Sequence, residues 1–120
     1  MISEISAEEI AAGKRAYDLD RAHVFHSWQA QGPFDPMTIL RAEGSHVWDG
    51  EGRKLIDLSG QLVNTNVGHQ HPKVIAAIQA QAAELATVGP ATSNLTRGQA
   101  AKRILSKAPD KFRKVFFLQV

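Results

Sequence analysis

The chain has 120 residues, of which 43% are hydrophobic and 22% charged, a composition typical of one globular domain and not of a disordered or fibrous protein. It contains no cysteine, which excludes disulfide frameworks, thiolate metal sites and cysteine nucleophiles. Residues 1–60 carry 6 basic and 10 acidic side chains (−4), and residues 61–120 carry 8 and 2 (+6). Because the basic cluster between Arg97 and Lys114 falls on the solvent side of a predicted amphipathic helix, we expect no nucleic-acid partner.

The N-terminal segment predicts a helix. Ser6 and Glu9 have the spacing of a capping box, and the residues that follow predict a helix from about residue 7 to the low twenties. The start of the chain is acidic, and no stretch reaches the roughly 18 uninterrupted apolar residues of a membrane span. We therefore expect a cytoplasmic protein with no membrane partner.

Three short extended runs follow, at residues 38–42, 46–48 and 54–58, and turn-forming residues separate them. This spacing predicts an antiparallel meander. The next segment, residues 59–70, is rich in amide side chains and glycine. It predicts a loop that either binds a polar ligand or satisfies its own backbone through Asx turns.

The last part of the chain predicts two helices and a strand. Apolar residues at helical spacing predict a helix over residues 73–87, with Pro72 at its first position. Ser93 or Asn94 is expected to cap the second helix. The continuous apolar run at residues 114–120 is typical of a strand buried in a parallel sheet.

The histidines raise the alternative of a small metal-binding protein. A zinc site needs three or four converging ligands, and no carboxylate accompanies the paired histidines at a familiar spacing. We therefore expect no metal site, although the hypothesis stays open from sequence alone. The histidines are His23, His26, His46, His69 and His71.

Three runs of residues carry a family resemblance. They are GSHVWD at residues 44–49, GRKLIDLSG at residues 52–60 and NVGHQHPKV at residues 66–74. In this order they resemble the N-terminal part of class III pyridoxal-phosphate-dependent aminotransferases. The closing KVFF at residues 114–117 is similar to the first large-domain strand of that family. The resemblance covers roughly residues 22–120.

The resemblance implies an α/β fold, namely the N-terminal segment of a fold-type I pyridoxal-phosphate transferase. That segment comprises a helix, an antiparallel β meander, two helices and the first large-domain strand. The chain is then a single incomplete unit over residues 1–120. Residues 1–72 would form an N-terminal small-domain part with the meander, and residues 73–120 the start of the large cofactor-binding domain.

The resemblance also implies a function. The family uses pyridoxal 5'-phosphate to transfer an amino group from an amino acid or amine to a keto acid, and it works as a homodimer with active sites at the subunit interface. The phosphate-binding turn and the Schiff-base lysine lie further along the family's sequence, so no catalytic residue is carried over and the chain alone is expected to be inactive. By position, the substrate-pocket residues are Trp28, Leu62 and Val63, and the loop that reaches the partner's site is Gly89, Pro90, Ala91 and Thr92.

A hypothesis from another class remains. Between Lys73 and Arg97 the only charged residue is Glu84, which indicates a helix and loop covered by other protein. The chain would then be a non-catalytic interaction module that docks on a transaminase subunit through residues 74–96.

Overall fold

A computed structural model of the chain describes residues 4–118. The chain divides into two compact units, Met1–Ile78 and Gln79–Val120. The predicted domain division at residues 72 and 73 stays a prediction. The elements in chain order are α1 (Ala7–His23), β1 (Ile39–Glu43), β2 (His46–Asp49), β3 (Lys54–Ile56), α2 (Gly60–Val63), α3 (Pro72–Glu84) and α4 (Leu95–Leu105).

Helix α1 begins at the predicted capping box. The Ser6 hydroxyl accepts a hydrogen bond from the Glu9 amide at 3.2 Å, and the Glu9 carboxylate accepts one from the Ser6 amide at 2.8 Å. These two contacts satisfy amides that no helical carbonyl can reach. The predicted start and length of the helix are confirmed.

The meander is confirmed as a three-stranded antiparallel sheet in the order β1-β2-β3. Glu43 pairs with His46 across the turn between β1 and β2, and Trp48 pairs with Lys54 across the next turn. Gly44 and Gly52 have φ of +55° and +81°, which only glycine adopts without strain. Both hairpin turns are therefore specified by the sequence.

The core of the first unit is small and centres on β2. Among the described residues, only Val47, Trp48 and Asp49 of this strand and Gly13 of α1 are buried. A Cβ added at Gly13 would lie 2.5 Å from Cδ2 of Leu40 on β1. The absence of a side chain at Gly13 thus lets α1 lie directly against the sheet.

Asp49 is a buried carboxylate whose hydrogen-bonding capacity is used within one turn. It accepts hydrogen bonds from the amides of Glu51 and Arg53 at 3.0 and 2.9 Å, and from Nε of Arg53 at 2.6 Å. Burial raises the pKa of Asp49, but the Arg53 contacts outweigh burial and lower it below its ordinary value. A buried charge paired in this way fixes the turn between β2 and β3.

The two later helices form close to their predicted positions. Helix α3 begins at Pro72, as predicted, and ends at Glu84, three residues before the expected end. Helix α4 is capped by Asn94, whose side chain accepts a hydrogen bond from the Arg97 amide at 3.0 Å. Within residues 4–118, no helix is both long enough and apolar enough to cross a membrane.

The predicted closing strand does not form in the described part of the chain. Residues 114–118 belong to no strand, and residues 119–120 lie outside the described residues. A strand needs a hydrogen-bonded neighbour, and the sheet of the described residues contains only the three strands of the meander. The apolar run is therefore unpaired here.

Candidate functional site

The backbone is strained in three exposed segments: at Trp28, at residues 61–63 and at Gln70, where φ is +54°. Trp28 has φ of +64°, and Gln61, Leu62 and Val63 have φ between +51° and +58°. Such left-handed conformations cost residues with a Cβ about 1–3 kcal/mol each. The strained residues include Trp28, Leu62 and Val63, the three side chains that the resemblance assigns to the substrate pocket.

The three side chains are also exposed. The exposed fraction is 93% for Trp28, 74% for Leu62 and 73% for Val63. Apolar residues held in costly conformations without burial are not explained by packing of the fold. Trp48, in contrast, is a core residue.

The Gln31 side chain holds the loop that carries Trp28. Its Oε1 accepts a hydrogen bond from the His26 amide at 3.0 Å, and its Nε2 donates to the His26 and Gln29 carbonyls. The Gln31 carbonyl accepts a hydrogen bond from Arg21 of α1 at 3.1 Å. The Gln31 side chain thus closes the loop around Trp28, and the Gln31 backbone carbonyl ties the loop to α1.

His26 is bound to α1 at the base of the same loop. Its Nε2 lies 2.7 Å from Oδ1 of Asp20, and its ring packs at 57° to the Phe34 ring with centroids 4.7 Å apart. This geometry is that of a tilted aromatic pair. His26 therefore has a structural role, since it joins this loop to α1.

The α2 turn, which carries Leu62 and Val63, is anchored by Asp57. Oδ1 of Asp57 accepts hydrogen bonds from the Ser59 amide, the Ser59 hydroxyl and the Gly60 amide at 3.2, 3.0 and 2.9 Å. An Asx turn at Asp57 therefore satisfies the first backbone amides of the loop.

The second oxygen of Asp57 pairs with a histidine from the far end of the loop. Oδ2 lies 2.7 Å from Nε2 of His69, and the two side chains are 5% and 11% exposed. The hydrogen bond with His69 is the largest cause that lowers the pKa of Asp57, which falls to about 2. Asp57 is therefore ionised and acts only as an acceptor.

Both ends of the loop over residues 57–69 are fixed to the hairpin between β1 and β2. The Asp57 amide donates to the Ser45 carbonyl at 2.9 Å, and His69 and Gly44 exchange two backbone hydrogen bonds of 3.0 and 2.7 Å. Gly68 approaches the Gly44 backbone so closely that a Cβ would lie 3.3 Å from it. The loop is thus a closed ring whose tip is α2.

The loop predicted to reach a partner's site is an exposed turn. The Thr92 amide and hydroxyl both donate to the Gly89 carbonyl, at 3.2 and 2.7 Å, with Pro90 at the position that favours such a turn. Arg97 of α4 donates to the Thr92 carbonyl. Residues Gly89, Pro90, Ala91 and Thr92 are exposed.

A cleft of about 430 Å³ lies beside this turn in the second unit. Its lining combines the side chain of Arg97 with apolar residues from residues 88–90 and from residues 116–118. A different cavity, of about 370 Å³, is lined by Tyr17, Asp35, Asp49 and their neighbours in the first unit. Trp28, Leu62 and Val63 line neither.

The histidines do not gather into a metal centre within residues 4–118. No group of three or more His, Asp or Glu side chains there could hold a metal ion. His26 and His69 each pair with one carboxylate instead.

Comparison with known proteins identifies the family. Residues 28–120 match the family model of the class-III aminotransferases. The chain belongs to this family. The resemblance drawn from its motifs is thereby confirmed.

Two curated relatives illustrate the relationship. The 5-aminovalerate aminotransferase DavT of Pseudomonas aeruginosa is 52% identical over 54 residues, which are 45% of this chain and 13% of that protein. The acetylornithine aminotransferase of Neisseria meningitidis is 40% identical over 86 residues, 70% of this chain and 21% of that protein. The chain thus spans about a fifth or less of the length of these relatives.

The fold is shared with solved transaminases. The taurine:2-oxoglutarate aminotransferase of Bifidobacterium kashiwanohense, solved in complex with PLP and glutamate, aligns with a TM-score of 0.68 at 28% identity. The alignment covers 88% of this chain and 22% of that one. The chain therefore has the α/β fold of the N-terminal segment of fold-type I transferases, and pyridoxal phosphate is the cofactor of its family.

The residues described here do not supply a cofactor cradle. A Schiff-base lysine must be held beside the bound cofactor, yet every lysine of the chain is exposed in the structure. The lysines are Lys14, Lys54, Lys73, Lys102, Lys107, Lys111 and Lys114.

The residues that support these segments carry no recognisable motif in the sequence. Gln31 lies in a proline-rich loop, and Asp57 and His69 lie twelve residues apart with no familiar spacing. The local signals for hydrogen-bonded turns were the Asp-Leu-Ser-Gly run at residues 57–60 and the Gly-His pair at residues 68–69. Their partnership depends on the hairpin that brings both ends together.

Proposed function

We propose that the chain is the N-terminal part of a class III aminotransferase that transfers an amino group from an amino acid or amine to a keto acid. Family membership and the alignment with solved transaminases support this. The small-molecule partners are then an amino donor and a keto acid acceptor. We further propose a cytoplasmic location and the division of the chain at residues 72 and 73.

One observation supports a substrate role for this chain: Trp28, Leu62 and Val63 have left-handed backbone conformations and exposed side chains. Backbone strain persists only where surrounding contacts enforce it, and it concentrates at ligand-binding segments. Here two separate polar networks, at Gln31 and at Asp57, enforce it. These three side chains would form walls of the pocket that receives the amino donor.

Helix α3 supports assembly as a homodimer. It has no buried residue, yet Val74 and Ile78 on it, and Leu85 just after it, are large apolar side chains that are exposed. An apolar helix face without charge is typical of a surface that another subunit covers. The turn at residues 89–92 follows this helix and would extend toward the partner's site.

Cofactor chemistry would reside outside this chain. Pyridoxal phosphate, when bound, withdraws electrons from the amino carbon of the substrate. The described residues would contribute orientation of the amino donor and exclusion of water at the pocket wall. The chain alone would therefore neither retain the cofactor at one lysine nor transfer amino groups.

The test is an amino-transfer assay on the complete aminotransferase of which this chain is proposed to be the N-terminal part. The assay contains pyridoxal phosphate and a panel of ω-amino acids, taurine, acetylornithine and simple amines. We expect ping-pong kinetics with a keto acid acceptor. In that protein Leu62→Ala should change the ratio of kcat/KM between a bulky and a small donor about tenfold, because pocket contacts discriminate by roughly 1–3 kcal/mol.

Val67→Ala is the matched control, since Val67 is an exposed apolar residue of the same loop with ordinary backbone. It should leave the donor ratio unchanged. Absence of transfer with every donor would contradict the proposed activity. Equal effects of Leu62→Ala and Val67→Ala would contradict the pocket assignment.

A further inference from the structure

We propose that Asp57 and His69 are positioning residues, whose contact holds the α2 turn in its left-handed conformation and so presents Leu62 and Val63 to the substrate. This inference rests on the proposed function for its consequence. It concerns residues that do not themselves touch the substrate.

Packing does not explain the conformation of the turn. Leu62 and Val63 are about three-quarters exposed, and no residue of α2 is buried. Hydrophobic burial therefore contributes little to the strained backbone. The conformation must be enforced by polar contacts.

Those contacts converge on one carboxylate. Donors from Ser59 and Gly60 bind Oδ1 of Asp57, and Nε2 of Gln61 and of His69 bind Oδ2 at 3.3 and 2.7 Å. Hydrogen bonds to an ionised acceptor are about twice as strong as neutral ones. Asp57 therefore fixes the entry to the turn, and His69 fixes the orientation of Asp57.

His69 is itself held by the sheet. Its backbone exchanges two hydrogen bonds with Gly44, and its Nε2 must carry the proton because the facing carboxylate only accepts. The pair thus transmits the position of the β1–β2 hairpin to the tip of the loop. The loop therefore contacts the β1–β2 hairpin at both of its ends, through Asp57 and through His69.

The experiment is NMR on the isotopically labelled full chain. A positive φ brings the amide proton and the α-proton of the same residue close together, and the strong nuclear Overhauser effect between them is measured at Leu62 and Val63. Hydrogen exchange is measured at the amides of Val63 and Thr65, which donate to the Ser59 and Gly60 carbonyls. His69→Leu and Asp57→Asn should lose the positive φ and speed exchange about tenfold. His69→Gln, which keeps a donor near the position of Nε2, should retain both signals.

His46→Leu is the matched control, because among the described residues no side-chain partner of His46 is found. It should leave the turn unchanged. Retention of the positive φ in both Asp57→Asn and His69→Leu would overturn the proposal. Loss of the positive φ in His46→Leu to the same extent would also overturn it.

Relief of strain gives a second measurement. Glycine adopts a positive φ freely, so Gln61→Gly in the His69→Leu background should slow exchange at Val63 by about fivefold. If the contact between Asp57 and His69 only stabilised the fold in general, Gln61→Gly would not compensate for the loss of His69. If His69→Leu fails to fold, Asp57→Asn decides: loss of the positive φ at Leu62 and Val63 supports the proposal, and its retention overturns it.

None of these signals depends on amino-group transfer. If Leu62→Ala has no effect on donor preference while the NMR results hold, the pocket assignment fails and the role of the pair in the turn stands. If Leu62→Ala changes the donor preference but Asp57→Asn and His69→Leu leave the conformation of the turn unchanged, the role of the pair is wrong and the pocket assignment stands.

Discussion

Gly68 shows how one residue without a side chain permits the loop to close. Its φ is +88°, and its α-carbon lies against the Gly44 backbone. A residue with a Cβ would meet both a disfavoured conformation and a backbone that cannot move aside. The contact between His69 and Gly44 depends on this approach.

Gly68→Ala should therefore lower the free energy of unfolding by about 1–3 kcal/mol. Gly98→Ala is the matched control: Gly98 lies inside α4, with nothing within 4 Å of an added Cβ. That change should raise stability by about 0.5–1 kcal/mol, because alanine favours a helix. Urea titration of both variants measures the effects, and equal losses would contradict the argument.

The ionisation of Asp57 gives a pH prediction. Its pKa falls from 3.8 to about 2, first because of the His69 hydrogen bond. A depressed pKa means that the stabilisation is complete above pH 3.8 and is lost as the pH falls toward 2. The difference in unfolding free energy between the wild type and Asp57→Asn should therefore shrink over that range.

Comparison with Asp57→Asn is needed because Glu9 titrates in the same range. The pKa of Glu9 falls to about 2, through hydrogen bonds with the Ser6 amide and then with Arg41. Both proteins retain Glu9, so its contribution cancels in the difference. A difference that stays constant from pH 5 to pH 2 would show that the Asp57 carboxylate contributes nothing.

Among the elements, α4 has an N-terminal cap that sequence alone could not assign to one residue. Ser93 and Asn94 are both good caps, but only Asn94 accepts the Arg97 amide. Asn94→Ala should reduce the free energy of unfolding of the segment by about 1 kcal/mol. Ser93→Ala should change it by less than about 0.5 kcal/mol. Circular dichroism during urea titration distinguishes them, and the reverse order would assign the cap to Ser93.

The elements that sequence predicts well are those with local determinants. The capping box specifies where α1 begins, the glycines at positions 44 and 52 specify the hairpin turns, and Pro72 specifies the start of α3. Each depends on residues within a few positions of one another. The structure confirms them.

The elements that sequence predicts poorly depend on distant contacts. Gln61, Leu62 and Val63 carry no signal for a left-handed turn, because that conformation is imposed by Asp57 and by the hairpin beyond it. The apolar run at residues 114–118 is a strand only where neighbouring strands pair with it. In both cases the deciding partner is remote in sequence.

At the scale of the molecule, apolar side chains on α3 remain uncovered. If they form a subunit interface, the full chain should associate at high concentration, and Ile78→Asp should weaken association at least about tenfold by placing a charge in the interface. Gln79→Asp adds the same charge at the next, polar position of the helix and should have little effect. Sedimentation equilibrium measures both, and equal weakening would contradict an interface at Ile78.

The closed ring over residues 57–69 has a consequence for how substrate preference could diversify. Its two ends are bonded to the hairpin and to each other, while its tip makes no contribution to the buried core. Substitutions at the tip should therefore leave the two bonded ends of the loop unchanged. If Leu62 and Val63 line the substrate pocket as proposed, substitutions at residues 61–64 would change the preferred amine at little cost in stability.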